Sequence, residues 1–588
     1  MNGDTPRAAF LDFVRDRWRH GLAGSVLDKE LRIASRHRST YLVRAGYVVV
    51  LGLFVLAVWG ETVLRPHVSP VTRAWQLAEA GKTIVAVVTW IQFAVLQLVA
   101  VASLSNAVSD EVNRRTLGVL MVTPVTGLQI VTGKLAGRLL HLLLLLAISL
   151  PVLMMVRVLG GVPVDYVLSG YGITLTATLF CGALALWLSI HQRRPWVVML
   201  TAVSVTGLLW LVLPFAVLLY LENPTAQGPV TADRVAVWTA YGDPWLALLS
   251  ETVDVVNPRP RPGPPFVWPI HCLVMLGLSA VLVAISAVQV RRAGMRQALG
   301  GDEPRASLAP PDVPRRVSLW RVFGPPVVWL ETRRRVFRRR WVAVVVALAA
   351  VGILAFTYLA ADRALRDHEI RALYGVVLMI LGAITTAVLA ATAITAEKES
   401  QTWPALLCTP LTSRAIVLGK AVGAAGRSAP VWGLLALHVG IFVAVGWTPP
   451  VALLHVAMVA TGLGAFVIGT GILFSVLLRK TTSAVVANVV FQVVIWAVVP
   501  ILLLLIFVWA SVRPSGELVL CVNPAAQVFV ALRQRGEGTY FWPPPLEHAG
   551  LLDTTLMIGA TAMACLAAGL LCLAIASRCV RRHEAPLP

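Results

Sequence analysis

Charge is scarce in this chain. Of its 588 residues only 13% are Asp, Glu, Lys or Arg, whereas a soluble globular domain carries about 25%. That is too little to cover a water-soluble body of this size, which excludes an ordinary soluble enzyme or binding domain. Cysteine is scarce too: the seven residues form no CxxC pair, so neither a disulfide framework nor a zinc site is indicated. Cys181, Cys565 and Cys572 lie inside apolar runs and read as small packing residues. There is no HExxH, no GxSxG and no pair of carboxylates inside an apolar run, which removes the common hydrolytic constellations. The first 40 residues hold many charges and no apolar h-region. No cleavable signal peptide is therefore expected, and the first apolar run itself must target the chain.

What is present is hydrophobic length. The chain is 57% hydrophobic with a mean hydropathy of +0.78, and apolar stretches of about 20 residues recur, enough to cross a hydrocarbon core. The expectation is an all-α polytopic membrane protein. Twelve spans are read, near 43–60, 83–107, 139–159, 168–190, 196–221 and 268–290, then 342–360, 373–395, 428–446, 451–478, 484–510 and 552–577. The net charge of +21 is better explained by basic cytoplasmic loops than by a nucleic-acid partner. With both termini inside, the cytoplasmic side holds 37 of the 50 Lys and Arg and the external side 13. Arg outnumbers Lys 44 to 6, a usage typical of GC-rich bacterial genomes, so the expected location is a bacterial inner membrane.

The two halves repeat. A constant shift of 286 places Glu111 on Glu397, Thr116 on Thr402, Leu120 on Leu406, Thr123-Pro124 on Thr409-Pro410 and Gly133-Lys134 on Gly419-Lys420. It also carries Ser189 to Ser475, Arg193-Arg194 to Arg479-Lys480 and Pro214 to Pro500. Small gaps bring Lys29-Glu30 near Leu330-Glu331 and Asp243-Pro244 onto Asn523-Pro524. The chain therefore reads as two six-helix units in tandem: residues 1–300, a Pro- and Gly-rich linker at 301–326, and residues 327–588. Six spans are an even number, so the units share one orientation and form a parallel pseudo-two-fold repeat able to enclose a path between them.

The joint after each second span is unusually long. Ser109-Asp110-Glu111 suits a helix N-terminus, and Leu117, Leu120 and Met121 recur at helical spacing, giving one apolar stripe. In the second unit Leu406 and Leu407 continue the stripe, with Pro404 shortening the turn. Thr123-Pro124 and Thr409-Pro410 then read as an N-cap and first helical position. A short helix with spare apolar surface fits either a headgroup-lying interfacial helix or a docking knob for a cytosolic partner.

"SDEVNRRTLGVLMVTPVTGLQIVTGKLAG" and "TAEKESQTWPALLCTPLTSRAIVLGKAVG" resemble the cytoplasmic loop of ATP-binding-cassette type-2 export permeases. The family's Glu-Arg-Glu opening is Glu111-Val112-Asn113 in one half and Glu397-Lys398-Glu399 in the other. Its customary Gly before the Thr is Arg115 and Gln401, and Trp403-Pro404 replaces a Leu-Glu type pair. "GSVLDKELRIASRHRSTYLVRAGYVVVLGLF" and "GPPVVWLETRRRVFRRRWVAVVVALAAV" resemble the amphipathic connecting helix before the first span. The resemblance implies two fused permease halves and no catalysis by the chain itself. It implies coupling helices formed by Glu111, Thr116, Leu117, Leu120, Thr123 and Pro124, and by Glu397, Thr402, Leu406, Leu407, Thr409 and Pro410. The implied partner is a separate ABC ATPase, in two copies, which uses the ATP; this chain would bind no cofactor. Glu30, Arg32, Glu331 and Arg333 mark the connecting helices, where each Glu reads either as an ion-pair partner holding the coupling helix or as a solvated charge. The run Arg333 to Trp341 fits both anionic membrane lipid and ordinary positive-inside topology.

"AEAGKT", Ala78 to Thr83, ends like a phosphate-binding loop, but the required upstream Gly is Gln76, and no other P-loop exists. His141, His438 and His455 stand alone in apolar runs and read as packed core residues. Polar residues in the spans are neutral: Gln92, Gln97, Asn106, Asn488 and Gln492 are candidate path-lining positions. Such a lining suits an amphipathic or lipid-like cargo, since ion-coupled carriers keep buried charges on their path. The Pro- and Trp-rich external stretches "NPRPRPGPPFVWP" and "FWPPPLEH" read as an interfacial anchor or a gate at the exit. Two other functions stay open: a twelve-span secondary carrier, and a non-transporting scaffold for cytosolic partners. The carrier reading lacks the Gly-x-x-x-Asp-Arg loop between spans two and three.

Overall fold

A computed structural model describes residues 45–49, 51–52, 69–113, 116–118, 125–157, 161–192, 194–212, 232–256, 266–298, 325–333, 348, 351–352, 354–355, 358, 365–500, 503, 521–533 and 550–580. Among these, all regular structure is helical. The first half contains α1 (Pro70–Leu104), α2 (Ser109–Asn113), α3 (Gly127–Arg157), α4 (Val164–His191), α5 (Pro195–Gly207), α6 (Ala232–Gly242), α7 (Pro244–Val256) and α8 (Trp268–Ala298). The second contains α9 (Pro326–Arg333), α10 (His368–Glu399), α11 (Trp403–Leu407), α12 (Ser413–Ala444), α13 (Val451–Leu477), α14 (Thr481–Val493), α15 (Pro524–Leu532) and α16 (Leu551–Cys579). Nine helices among the described residues are long and apolar enough to cross a membrane. The spans read at 43–60 and 342–360, and the linker, fall largely outside them.

The two halves share one neighbour map. Helix α4 packs on α1, α3 and α8, and α13 packs on α10, α12 and α16. The halves meet through α1 against α14 and α5 against α10, the reciprocal pairing that a two-fold axis between like units generates. Both fifth-span helices widen to a π turn at equivalent places, Leu208–Val212 and Val494–Val498, again 286 residues apart. Such π segments gather at functional positions because the widened turn re-aims side chains.

The boundaries differ from the sequence expectation at the third spans. Helices α3 and α12 begin at Gly127 and Ser413, well before the apolar runs, so Gly419-Lys420 rides on a helical extension of the span. The cap of α12 is Thr412, whose hydroxyl accepts from the Ala415 N–H at 3.2 Å. Its counterpart Thr126 accepts from the Gln129 N–H at 3.2 Å, and Gln129 Oε1 accepts from the Thr126 N–H at 3.0 Å, a reciprocal capping box. Thr409 is thus not the cap. Its hydroxyl donates back to the Leu406 carbonyl at 2.6 Å, closing α11 instead, and Pro410 lies in the following turn. Thr123 and Pro124 lie outside the described residues.

Close packing in the second half rests on small residues, which let backbones approach where lipid removes the hydrophobic drive between helices. A Cβ at Gly469 would meet the Gly569 carbonyl oxygen at 2.3 Å, and one at Gly462 would meet Ala562 Cα at 2.7 Å. Both steps are seven residues, so the seam between α13 and α16 is a heptad of small residues. Gly469→Val is expected to lower stability by about 1–3 kcal/mol, read as a lower thermal midpoint of the purified chain in detergent. Gly464→Ala, with nothing within 4 Å of its Cβ, should leave that midpoint in place.

Candidate functional site

The end of the molecule carrying Glu111 and Glu397, here termed basal, is held by buried charge. Lys420 Nζ donates to Glu331 Oε1 at 2.7 Å and also to Glu397 Oε1, and Arg427 Nη2 stands 3.6 Å from Glu331 Oε2. Glu331 and Lys420 are each 1% exposed. Glu331 is therefore not a solvated charge, and its partner is the lysine of the repeated Gly-Lys pair. Two glycines one helical turn apart make the approach possible. A Cβ at Gly419 would meet Val327 Cγ1 at 2.5 Å, and one at Gly423 would meet Glu331 Cβ at 2.5 Å. Connecting helix α9 thus lies directly against α12. The Gly423 signal was present in the sequence, since Gly137 precedes it by the same 286.

The acidic opening of the loop is a three-way tie. Glu397 goes to Lys420, as above. Lys398 Nζ donates to the carbonyls of Ser475, Val476 and Leu478, at 3.3, 2.6 and 3.3 Å, placing a cation on the negative C-terminal end of α13. Glu399 accepts from the Thr481 N–H at 2.7 Å and from its hydroxyl at 2.6 Å. It supplies the N-terminal cap that α14's own cap residue, Lys480, does not provide. Three consecutive residues of α10 therefore fix α12, α13 and α14.

Among the described side chains the first half repeats the first tie. Lys134 Nζ lies 2.7 Å from Glu111 Oε1 and donates to the Ala107 carbonyl at 2.7 Å. Val112 instead packs against the apolar core. In both halves the helix closes alike, with Thr116 N–H donating to the Glu111 carbonyl and Thr402 N–H to the Glu397 carbonyl, each at 3.0 Å. This closure puts Gln401 at φ +58°, the left-handed region that favours glycine, the residue the resembling family places there.

Helix α11 turns its apolar side inward. Trp403 is buried, and Leu406 and Leu407 are half-buried against its cluster, so the apolar stripe is only partly covered by protein. The face left to solvent holds Thr402, Pro404, Ala405, Cys408 and Pro410. In the first half Leu117 is buried and Thr116 exposed. Leu120, like Glu30 and Arg32, lies outside the described residues. Arg333 stacks its guanidinium 4.4 Å from the Trp329 ring centroid, on the exposed side of α9.

A cavity of about 420 Å³ lies where the halves meet, lined by α1, the fifth-span π segments, α7, α10, α13, α14 and α15. Gln97 and Gln492 line it; Gln92, Asn106 and Asn488 do not. Those three join helices instead. Gln92 Nε2 donates to Ser149 Oγ at 2.8 Å, Asn106 accepts from Arg138, and Asn488 Nδ2 donates to the Ala387 carbonyl at 3.2 Å. Trp210, Trp245 and Trp496 also face the cavity. Sequence reasoning passed over these tryptophans, although Trp210 and Trp496 differ by 286.

Asp243 and Asn523 cap the short helices beside that cavity and differ in one atom. Asn523 Oδ1 accepts from the Ala525 N–H at 2.9 Å while Nδ2 donates to the Trp496 carbonyl at 2.7 Å. Asp243 Oδ1 accepts from the Trp245 and Leu246 N–H groups at 2.7 and 3.2 Å, but its buried Oδ2 has no partner. Burial pushes this carboxyl up to about 7, against the two N–H donors, which lower it.

The other marked residues are structural. "AEAGKT" lies inside helix α1, where no loop can cradle a phosphate. His438 Nε2 is 3.1 Å from the Arg371 carbonyl, and His455 Nε2 is 2.8 Å from Thr555 Oγ1. The side chain of His141 is outside the described ones. No group of three or more His, Cys, Asp or Glu able to hold a metal occurs among the described residues.

Residues 25–295 match a family model described as ABC-2 family transporter protein, and residues 366–578 match a second model of the same description. With its apolar helices and its doubled neighbour map, the chain belongs to the ABC-2 family of transporter proteins, as two permease units in tandem. The comparison with curated proteins finds no match.

Two predictions follow the geometry. Lys420→Ala removes the cation shared by the buried Glu331 and Glu397, leaving Glu331 the more distant Arg427 Nη2 at 3.6 Å, and is expected to cost about 3–5 kcal/mol. Lys134→Ala, whose partner Glu111 is 19% exposed at the side chain, should cost less; unfolding in detergent compares the two. For Asp243 the carboxyl binds its proton more tightly in the fold, at about 7, than at its ordinary 3.8. Its contribution is therefore present below pH 4 and lost as pH rises through about 7. Asp243→Asn should raise the thermal midpoint at pH 8, by the equivalent of about 1–3 kcal/mol, and flatten its pH dependence between 4 and 8.

Proposed function

We propose that the chain supplies both halves of the transmembrane permease of an ABC-type exporter, driven by a separate ATPase that docks at the basal end. The observation that carries this reading is the tie of Glu397, Lys398 and Glu399 to three other helices of the second half. A short helix that only lay in the headgroups would need no such anchoring. A helix that receives force does, because displacement of α11 then passes through α10 to α12, α13 and α14 rather than dissipating in a loose joint. Helices α10 and α14 are cavity walls and cross-half contacts, so moving them changes the cavity.

In this mechanism two ATPase copies bind the segments 109–118 and 400–412 from the cytoplasm and approach each other on binding ATP. Each presses on its segment, the halves rock about the α1–α14 and α5–α10 contacts, and the cavity opens outward. The mostly apolar cavity, with the three amides of Gln97, Gln492 and Asn523 on its wall, supports a predominantly uncharged, amphipathic or lipid-like cargo. Val112 and Asn113 stand where the second half has Lys398 and Glu399, which gives the second half the stiffer lever.

Glu111 and Glu397 are partners of buried lysines, so reversing them perturbs the fold; the exposed face of α11 tests docking instead. Affinity purification of the full chain from native membranes is expected to recover an ABC ATPase. Thr402→Asp combined with Ala405→Glu should lower that recovery about tenfold, the effect of roughly 1.4 kcal/mol, with the thermal midpoint unchanged. Recovery of no ABC ATPase with the unaltered chain, or undiminished recovery with the double variant, sinks the docking assignment.

A further inference from the structure

The end of the molecule opposite the basal lysines holds a carboxyl that the fold engages on one side only. A Cβ at Gly127 would meet the Ala287 carbonyl oxygen at 2.4 Å, so the later part of α8 is basal. His271 precedes Ala287 on that helix by 16 residues, about 24 Å at 1.5 Å per residue. Its Nδ1 lies 3.2 and 3.1 Å from the Ala240 and Tyr241 carbonyls. Asp243, just after them, therefore sits at the far end.

Asp243 is 2% exposed. Its Oδ1 accepts the first free N–H groups of α7, those of Trp245 and Leu246, while Oδ2 is sealed from solvent and has no partner. Ionised, this group places a charged oxygen where no donor answers it, a costly arrangement in any fold. A metal ion or a solute cannot reach Oδ2 without displacing α7. A proton can, because it needs no room of its own and brief local opening delivers it. Burial accordingly raises this carboxyl, against the two N–H donors, which lower it. The second half fills the same capping position without a proton: Asn523 Oδ1 accepts from the Ala525 N–H, and Nδ2 donates to the Trp496 carbonyl. Asp243 can present a donor there only by carrying a hydrogen on Oδ2.

The residue this carboxyl holds most closely is Trp245, whose N–H is 2.7 Å from Oδ1. The Trp245 ring packs on Trp90 and Phe93, with centroids 5.8 and 5.1 Å away, and lines the cavity. A charged Oδ2 gains by turning toward water, and the first turn of α7 goes with it because the same carboxyl caps that turn. Other titratable side chains on the surrounding elements are engaged elsewhere. On α1, Glu79 pairs with Lys82 at 3.5 Å. On α4, Asp165 accepts from the Trp268 indole and Tyr166 meets Thr252, each at 3.1 Å. On α6, Tyr241 stacks on Phe266, and Glu251 and Asp254 lie about two and three turns further along α7. His271 on α8 is the rival that experiment must separate.

We infer that Asp243 is a proton-binding site whose occupancy sets the place of Trp245 on the cavity wall. With the proton bound, the first turn of α7 stays packed; when the proton leaves to the water at that end, the turn lifts toward solvent and takes Trp245 with it. The site stands without the permease reading. Only its consequence, that acid outside holds the outer end shut, rests on that reading.

Fluorine NMR tests the site in the protein alone. The full chain is purified in detergent with 5-fluorotryptophan in place of tryptophan and titrated from about pH 5 to about pH 9, the range in which a raised carboxyl changes charge. The Trp245 line, identified by its loss in Trp245→Phe, is expected to move in a single titration centred at about 7. The Trp496 line, identified likewise, should stay in place, because its neighbour Asn523 does not titrate. Asp243→Asn and Asp243→Ser both keep a helix-capping side chain without a carboxyl, so either one that folds should hold the Trp245 line still. A Trp245 line that stays fixed in the unaltered chain overturns the inference. So does a titration that survives in these variants, which would belong to His271, or a matching titration of Trp496, which would mark a change of the whole molecule. No ATPase or cargo is present, so failure of docking leaves this result untouched.

Discussion

Lys420 is the point on which the basal end depends. One ammonium, almost fully removed from solvent, is shared by the carboxylates of Glu331 and Glu397. Three charges in a low-dielectric setting tolerate little displacement, because moving the shared lysine away would leave buried carboxylate charge under-compensated. The connecting helix, the end of the second span and the start of the third are therefore one rigid piece. The glycines at 419 and 423 make the geometry possible, and the charges make it obligatory. The two halves share an apolar core cluster, with the Arg427 guanidinium 5.9 Å from the Trp196 ring centroid, and apolar contact slides at lower cost.

That division of labour fits a transporter of the ABC-2 family. Rigid charge ties sit at the basal end, where the proposed ATPase would dock, and largely apolar surfaces lie between the halves, which the proposed mechanism would move. The π turns at Leu208–Val212 and Val494–Val498 lie between the two regions and carry Trp210 and Trp496 onto the cavity wall. The halves are alike in fold and unlike in detail. The second has a hydrogen-bonded series from the Ala387 carbonyl through Asn488, Thr470, Gln492, Trp496 and Asn523. The first has Ala202, Leu184 and Thr206 at the positions of Asn488, Thr470 and Gln492, and a carboxyl at 243 where the second has an amide. Tandem duplication thus left two halves of like fold with different hydrogen bonding beside the cavity.

Much of the fold was legible because bilayer length and the 286-residue shift are properties of the chain alone. Hydrocarbon thickness dictates about 20 apolar residues per span, so helices such as α4, α8, α13 and α16 could be marked directly. A constant offset requires like units, whatever their packing. The caps were misplaced by three residues at 409, because Thr409 and Thr412 are equally good capping types. Only the backbone shows that the hydroxyl of Thr409 points back to Leu406. The fifth spans carried no sign of π turns, since a widened turn leaves composition unchanged.

The sequence by itself determined that this is a doubled, helical membrane protein of neutral interior, because apolar length, charge scarcity and repetition need no partner residues to be read. Which charges are buried, and what they hold, only the tertiary structure decided. Glu331 looked like any carboxylate among arginines, and Lys420 like half of a repeated pair. Their meeting depends on two glycines letting α9 lie against α12, a contact across 89 residues that no local pattern encodes. The same holds for the five neutral amides in spans, which look alike until packing sets Gln97 and Gln492 on a cavity wall and spends Gln92, Asn106 and Asn488 between helices.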